Sequence, residues 1–262
     1  MAGVEVWAYT IVSVVLVSLI AFVGIITLVF SERKLSKILL VLVALAAGTL
    51  LGGAFLHLLP HNAEHHGFEV GTGYMILLGL IVLFIIEYFI HWHHCHRTHM
   101  CDDPHDKSVD HSNHVIEFGW TNLIGDGLHN FLDGALIAST YFVSIPVGIA
   151  TTIAVMMHEI PQEIADFGVL LHAGFSKVKA LVLNFLAAVT AILGALVVLI
   201  VSESAEFIEA YLVPFTAGAF IYVAAADLMP ELRKEKQGSK LVVHFVAFIA
   251  GIGLMAMLLL LE

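Results

Sequence analysis

Two short stretches carry the side chains best suited to chemistry, His129-Asn130-Phe131-Leu132-Asp133-Gly134 and His158-Glu159-Ile160-Pro161-Gln162-Glu163. Both sit inside long apolar runs that also hold Asp126 and Asp166 and contain no Lys or Arg. An ionised carboxylate at the centre of a bilayer costs about 2.5–3.5 kcal/mol on insertion scales, so several of them together need a compensating charge. With no basic side chain available, a bound or passing cation supplies it, and the two stretches read as a metal site.

Spacing sets which donors face one another. On a helix His129 and Asp133 are i and i+4 and share a face, flanked by Asp126 and Asn130 on a neighbouring line. The same spacing pairs His158 with Gln162 and Glu159 with Glu163, and Asp166 continues that stripe. His129, Asp133, His158 and Gln162 are the set expected to touch the ion, with Asn130, Glu159 and Glu163 forming an adjacent site or a supporting shell. Ser144-Ile145-Pro146 makes a tight turn between the two runs, so they are antiparallel neighbours. At 1.5 Å per residue both motifs fall about 17–20 Å from that turn, at one depth. Pro161 has no N–H and frees the Met157 carbonyl as a further ligand or water anchor, and Gly134 admits a close neighbour. Mixed imidazole, carboxylate and amide donors suit Zn²⁺, Fe²⁺ or Mn²⁺. An amide donor also fits a site that must let its ion go.

These donors need a scaffold that crosses a membrane. An apolar fraction of 60% and a mean hydropathy of +0.96 indicate an integral membrane protein. The net charge of −11 excludes nucleic acid as a partner. Eight runs are each long enough to span the hydrocarbon: Val4–Phe30, Ile38–Leu59, Tyr74–Ile90, Val115–Phe142, Ile145–Leu171, Val178–Val201, Phe207–Met229 and Leu241–Leu261. The expected fold is therefore an all-α integral membrane protein of eight transmembrane helices, one domain over residues 1–262. The first run lacks the basic flank of a cleaved signal and is read as a helix. All 11 basic residues fall after the first, third, fifth and seventh runs, which puts those loops in the cytoplasm and both termini outside.

Other polar groups extend the path. His57 and His61 close the second run, and Asp227 and Glu231 close the seventh in a similar pattern around Pro60 and Pro230. Because those two runs point in opposite directions, runs 1–3 and 6–8 read as an inverted repeat around a central hairpin of runs 4 and 5. His57 and His61 then line the outer path, Asp227 and Glu231 the inner one, with Asp126 and Asp166 between. The connection 91–114 holds eight of the 16 histidines and both cysteines, and reads as a loose cytoplasmic metal-binding loop. Asn184 is the one strongly polar group of the sixth run and is suited to bridging helices. Glu87 and His244 read as structural.

The two motifs resemble the signature segments of the ZIP (Zrt/Irt-like) divalent metal transporter family, especially its branch with a His-Glu-x-Pro-His-Glu form. That resemblance implies an eight-helix transporter in the cell membrane, moving Zn²⁺ into the cytoplasm with Fe²⁺, Mn²⁺ or Cd²⁺ as competitors. It implies His129, Asn130, Asp133, His158 and Glu159 as transport-site ligands, and rocking of helices 1, 4, 5 and 6 against the rest. Gln162 departs from the usual His or Glu, and the sixth run lacks the acid that some members add to a second metal position. The partners expected are the divalent ion, the lipid bilayer and, as an allowed assembly, a homodimer. An intramembrane metal-dependent hydrolase is the alternative, resting on His158-Glu159 but lacking the second imidazole of His-Glu-x-x-His. A metal sensor or channel-like conduit built on the 91–114 loop is a third reading.

Overall fold

The computed structural model describes residues 3–28, 32–98, 111–201, 207–233 and 238–261. Among them there is no strand. Helix α1 (Val4–Leu19) runs on as a 3₁₀ helix, Ile20–Leu28. Helix α2 (Glu32–Gly52) passes through a π-helical segment, Gly53–Leu58, into α3 (Leu59–His66). Helices α4 (Val70–Thr98), α5 (His111–Val143) and α6 (Ile145–His172) follow. Helices α7 (Lys177–Ala188) and α8 (Thr190–Val201) form one rod with a break at Val189. After a π-helical Ile208–Leu212 come α9 (Val213–Tyr222), a further π segment Val223–Leu228, and α10 (Met229–Arg233). The last helix, α11 (Gly238–Leu258), ends in a 3₁₀ turn, Leu259–Leu261.

Among the described residues, four helical stretches are long and apolar enough to cross a membrane, Val4–Leu28, Lys37–His66, Lys177–Val201 and Leu241–Leu258. Helices α5 and α6 exceed the required length, but the polar motif residues dilute their apolar character. The third run was expected to end at Ile90; α4 instead continues to Thr98, since neither Gly nor Pro interrupts it there. The histidine-rich connection therefore begins as helix and re-enters helix at His111. The remainder of that loop, including Cys101, lies outside the described residues.

The bundle is apolar outside and small or polar inside. On α11, Leu241, Val242, Val243, Phe245, Val246 and Ile249 face outward, whereas Gly251 and Met255 are buried. Such a surface suits lipid and not water. Inside, backbones approach closely at reciprocal glycine pairs. A Cβ on Gly134 would collide with the Ala191 carbonyl oxygen, and one on Gly194 with the Phe131 carbonyl oxygen, so only glycine lets α5 and α8 meet there. The pairs Gly48/Gly251 between α2 and α11, and Gly79/Gly218 between α4 and α9, repeat this arrangement: each glycine faces the carbonyl three residues before its partner.

The hairpin of α5 and α6 is set by its turn. Ser144 takes an extended conformation and its side chain accepts from the Val147 N–H at 3.2 Å, while Pro146 fills the first helical turn. At its far end α6 stops in a Schellman turn: Gly174 has φ of +84° and the Phe175 N–H donates to the Leu170 carbonyl at 3.1 Å. Between these ends Pro161 sits inside a continuous helix.

Candidate metal centre

Four side chains from α5 and α6 converge midway along the hairpin. His129 and Asp133 stand one turn apart on α5, and His158 and Glu159 are adjacent on α6. One ligand atom from each lies within 4.8 Å of all the others. His158 Nε2 is 3.0 Å from Asp133 Oδ2 and 3.4 Å from Glu159 Oε1. His129 Nε2 is 3.3 Å from His158 Nε2, 3.5 Å from Glu159 Oε1 and 3.9 Å from Asp133 Oδ2. A tetrahedral shell with metal–ligand bonds of 2.0–2.1 Å has donor–donor edges of about 3.3–3.4 Å. Most of the observed separations cluster around that edge.

Burial and hydrogen bonding sharpen the point. The His129 side chain retains 14% exposure and the other three are almost fully enclosed. His158 Nδ1 lies 3.3 Å from the Ala154 carbonyl and donates to it, which aims the Nε2 lone pair at the centre. A proton shared between the two Nε2 atoms still leaves both Glu159 oxygens, and Asp133 Oδ2, without a hydrogen-bond donor. Buried acceptors facing acceptors are costly. A cation at their common focus relieves that cost, and the donor types are those of a first-row divalent ion.

Gln162 was placed beside His129, Asp133 and His158 by spacing; the carboxylate that lies within 4.8 Å of their donor atoms is that of Glu159, which the family resemblance implied. Side chains on a helix lean toward its N-terminus, so the longer Glu159 reaches back to the level of His158. Gln162 sits one turn further along α6, and because α5 runs antiparallel it meets Asp126 and not Asp133.

That next level forms a second polar layer on the side away from the Ser144 turn. Asn130 Nδ2 donates to Asp126 Oδ1 at 2.8 Å, leaving its own Oδ1 without a partner. Asn184, from α7, donates to a carboxylate oxygen of fully buried Glu163, the helix-bridging role expected of it. Asn122 donates to Asp166 at 2.9 Å. Asn122 was missed by sequence reading, although it precedes Asp126 and Asn130 at successive i+4 steps and so shares their stripe. Also missed was a buried hydroxyl chain toward the turn end: Tyr141 Oη is 2.7 Å from Ser13 Oγ and 3.3 Å from Thr152 Oγ1, tying α1 to both central helices.

The outlying residues behave differently. His57 is buried in the π-helical segment and contacts the Met255 carbonyl on α11 at 2.8 Å, so it tethers α2 to α11. His61 packs its ring on His65 at 4.4 Å. Among the described residues neither joins a cluster of metal donors. The side chains of Asp227 and Glu231, and that of Glu87, lie outside what the structure describes.

The chain is similar to known proteins along nearly its whole length. The family model described as ZIP Zinc transporter matches residues 4–116 and 92–259. Zinc transporter zipt-7.1 of Caenorhabditis briggsae is 28% identical over an alignment covering 100% of this chain and 81% of that protein. The Zinc transporter ZIP13 homolog of Drosophila melanogaster is 28% identical over 85% of this chain and 78% of its own length. Zinc transporter SLC39A7 of Homo sapiens is 28% identical over 99% and 72%. A multi-pass membrane protein whose buried imidazoles and carboxylates converge without a basic partner, and which that model covers almost from end to end, belongs to the ZIP zinc transporter family.

Proposed function

We propose that this ZIP transporter carries Zn²⁺ into the cytoplasm through the centre formed by His129, Asp133, His158 and Glu159. The observation that carries the reading is the convergence of four donor atoms within 4.8 Å, on two helices that have no basic residue at that depth. The second layer, with Asp126, Asn130, Gln162, Glu163 and Asp166, lies on the inner side and receives the ion next. Fe²⁺, Mn²⁺ and Cd²⁺ compete for the same mixed donors. Relatives named as zinc transporters leave no support for the hydrolase alternative, and Gln162 stands where a second imidazole would be needed.

Eight spans with both termini outside accord with α5 and α6 being longer than a bilayer requires and with the sorting of the basic residues. The inverted repeat has two supports. Exchanging runs 1–3 with runs 6–8 turns the Gly48/Gly251 contact of runs 2 and 8 into the Gly79/Gly218 contact of runs 3 and 7. It also brings the π segment before Pro60 onto the π segment before Pro230. In this arrangement α1, α5, α6 and the α7–α8 rod rock against the remaining helices and present the centre to each side in turn.

The test is zinc uptake into proteoliposomes loaded with a fluorescent indicator. Asp133→Ala and Glu159→Gln should abolish flux while the purified variants keep their helical circular dichroism. Wild-type flux in either folded variant overturns the assignment.

A further inference from the structure

On the outer surface of the bundle, α5 and the α7–α8 rod diverge from the tight crossing of α5 and α8 at Gly134 and Gly194 and leave a groove with a volume of about 430 Å³. One wall is Trp120, Ile124 and Leu128 of α5; the other is Leu183, Leu186 and Leu193 of the α7–α8 rod. The floor holds one hydroxyl, that of Thr190, and it donates to the Gly127 and Ala187 carbonyls, so the groove offers an apolar ligand nothing polar. From Trp120 to Phe131 the wall is about 16 Å long at 1.5 Å per residue. Its apolar lining over that length suits one extended hydrocarbon chain laid along α5.

The end of the groove near Trp120 is chemically different. Lys179 Nζ lies 4.7 Å from the ring centre of Phe175 and 5.7 Å from that of Trp120, whose rings meet edge to face at 5.6 Å. Lys177, also exposed, precedes it by two residues, and both belong to the first turn of α7, capped by Ser176. Among the described residues no carboxylate pairs with Lys179. A tryptophan with a lysine over it is what an interface anchor requires. The positive end of α7 adds to the attraction for an anion.

We propose that this groove is a binding site for an anionic phospholipid, one acyl chain lying between α5 and α7 and the phosphate held by Lys179 and Lys177. The proposal needs only that the chain resides in a bilayer, so it stands or falls apart from the transport route. Trp120 is one of three tryptophans and serves as its own probe. In a Trp7→Phe, Trp92→Phe background reconstituted in mixed vesicles, dibrominated phosphatidylglycerol should half-quench Trp120 at a roughly fivefold lower mole fraction than dibrominated phosphatidylcholine. Lys177→Gln with Lys179→Gln should erase that difference, and Lys179→Arg with Lys177 intact should keep it. Equal quenching by the two lipids overturns the proposal, as does a preference that survives loss of both lysines. Failure of either lipid to quench, with cross-linking of two copies through α5, would make the groove an interface between copies and likewise overturn it.

Discussion

At the centre of the hairpin, one residue decides the ligand shell. Glu159 brings a carboxylate oxygen within 4.8 Å of the other three donor atoms, and its two oxygens have no hydrogen-bond donor. Glu159→Ala should therefore weaken zinc binding or flux by at least the 10–100-fold typical of losing even a supporting ligand contact. Gln162→Ala should cost less than about tenfold, because its side chain serves Asp126. Zinc titration of the two purified variants distinguishes these outcomes, and a larger loss for Gln162→Ala would return that residue to the shell. Asn184 acts indirectly through Glu163: Asn184→Ala leaves a buried carboxylate oxygen without its donor, at a cost of about 1–3 kcal/mol in stability.

Among the elements, the spacing between helices is governed by glycine. The carbonyl oxygens of Ala191 and Phe131 occupy the places where side chains on Gly134 and Gly194 would go. Backbone atoms cannot swing aside as a flexible side chain can, so Gly194→Leu should push α8 off α5 and cost more than the roughly 1–3 kcal/mol of ordinary overpacking. Gly168, with open space around it, is the control: Gly168→Ala should be neutral or up to about 1 kcal/mol stabilising. Thermal unfolding in detergent reads both, and equal melting temperatures would show that the close crossing is dispensable. The hairpin was legible beforehand because Ser144 and Pro146 carry local turn and capping chemistry. The extension of α4 to Thr98 was not, since an apolar run reports where lipid ends and not where a helix does.

For the whole molecule, the arrangement of apolar surface outside and polar groups inside fits a bilayer, and the loop charges fix the expected orientation. With Cys95 and Cys101 replaced by Ser, a cysteine introduced at Glu64 should react with an impermeant maleimide on intact cells. One introduced at Lys177 should react only after permeabilisation. The opposite pattern would reverse the direction of transport proposed here. The paired glycine contacts of α2 with α11 and α4 with α9 frame the hairpin from both sides.

Composition alone determined that the chain lives in a membrane, because burying so many apolar residues in water-soluble form would leave too little polar surface. The two motifs alone pointed to a cation among them, because stranded carboxylates without lysine or arginine call for a compensating charge. Which atoms meet was decided only by tertiary structure. The lean of side chains along antiparallel helices brought Glu159 level with His158, the packing of α11 set the Met255 carbonyl against His57, and the approach of α7 brought Asn184 to Glu163. None of these follows from periodicity, which assigns a residue to a face of its own helix and is silent about what stands opposite.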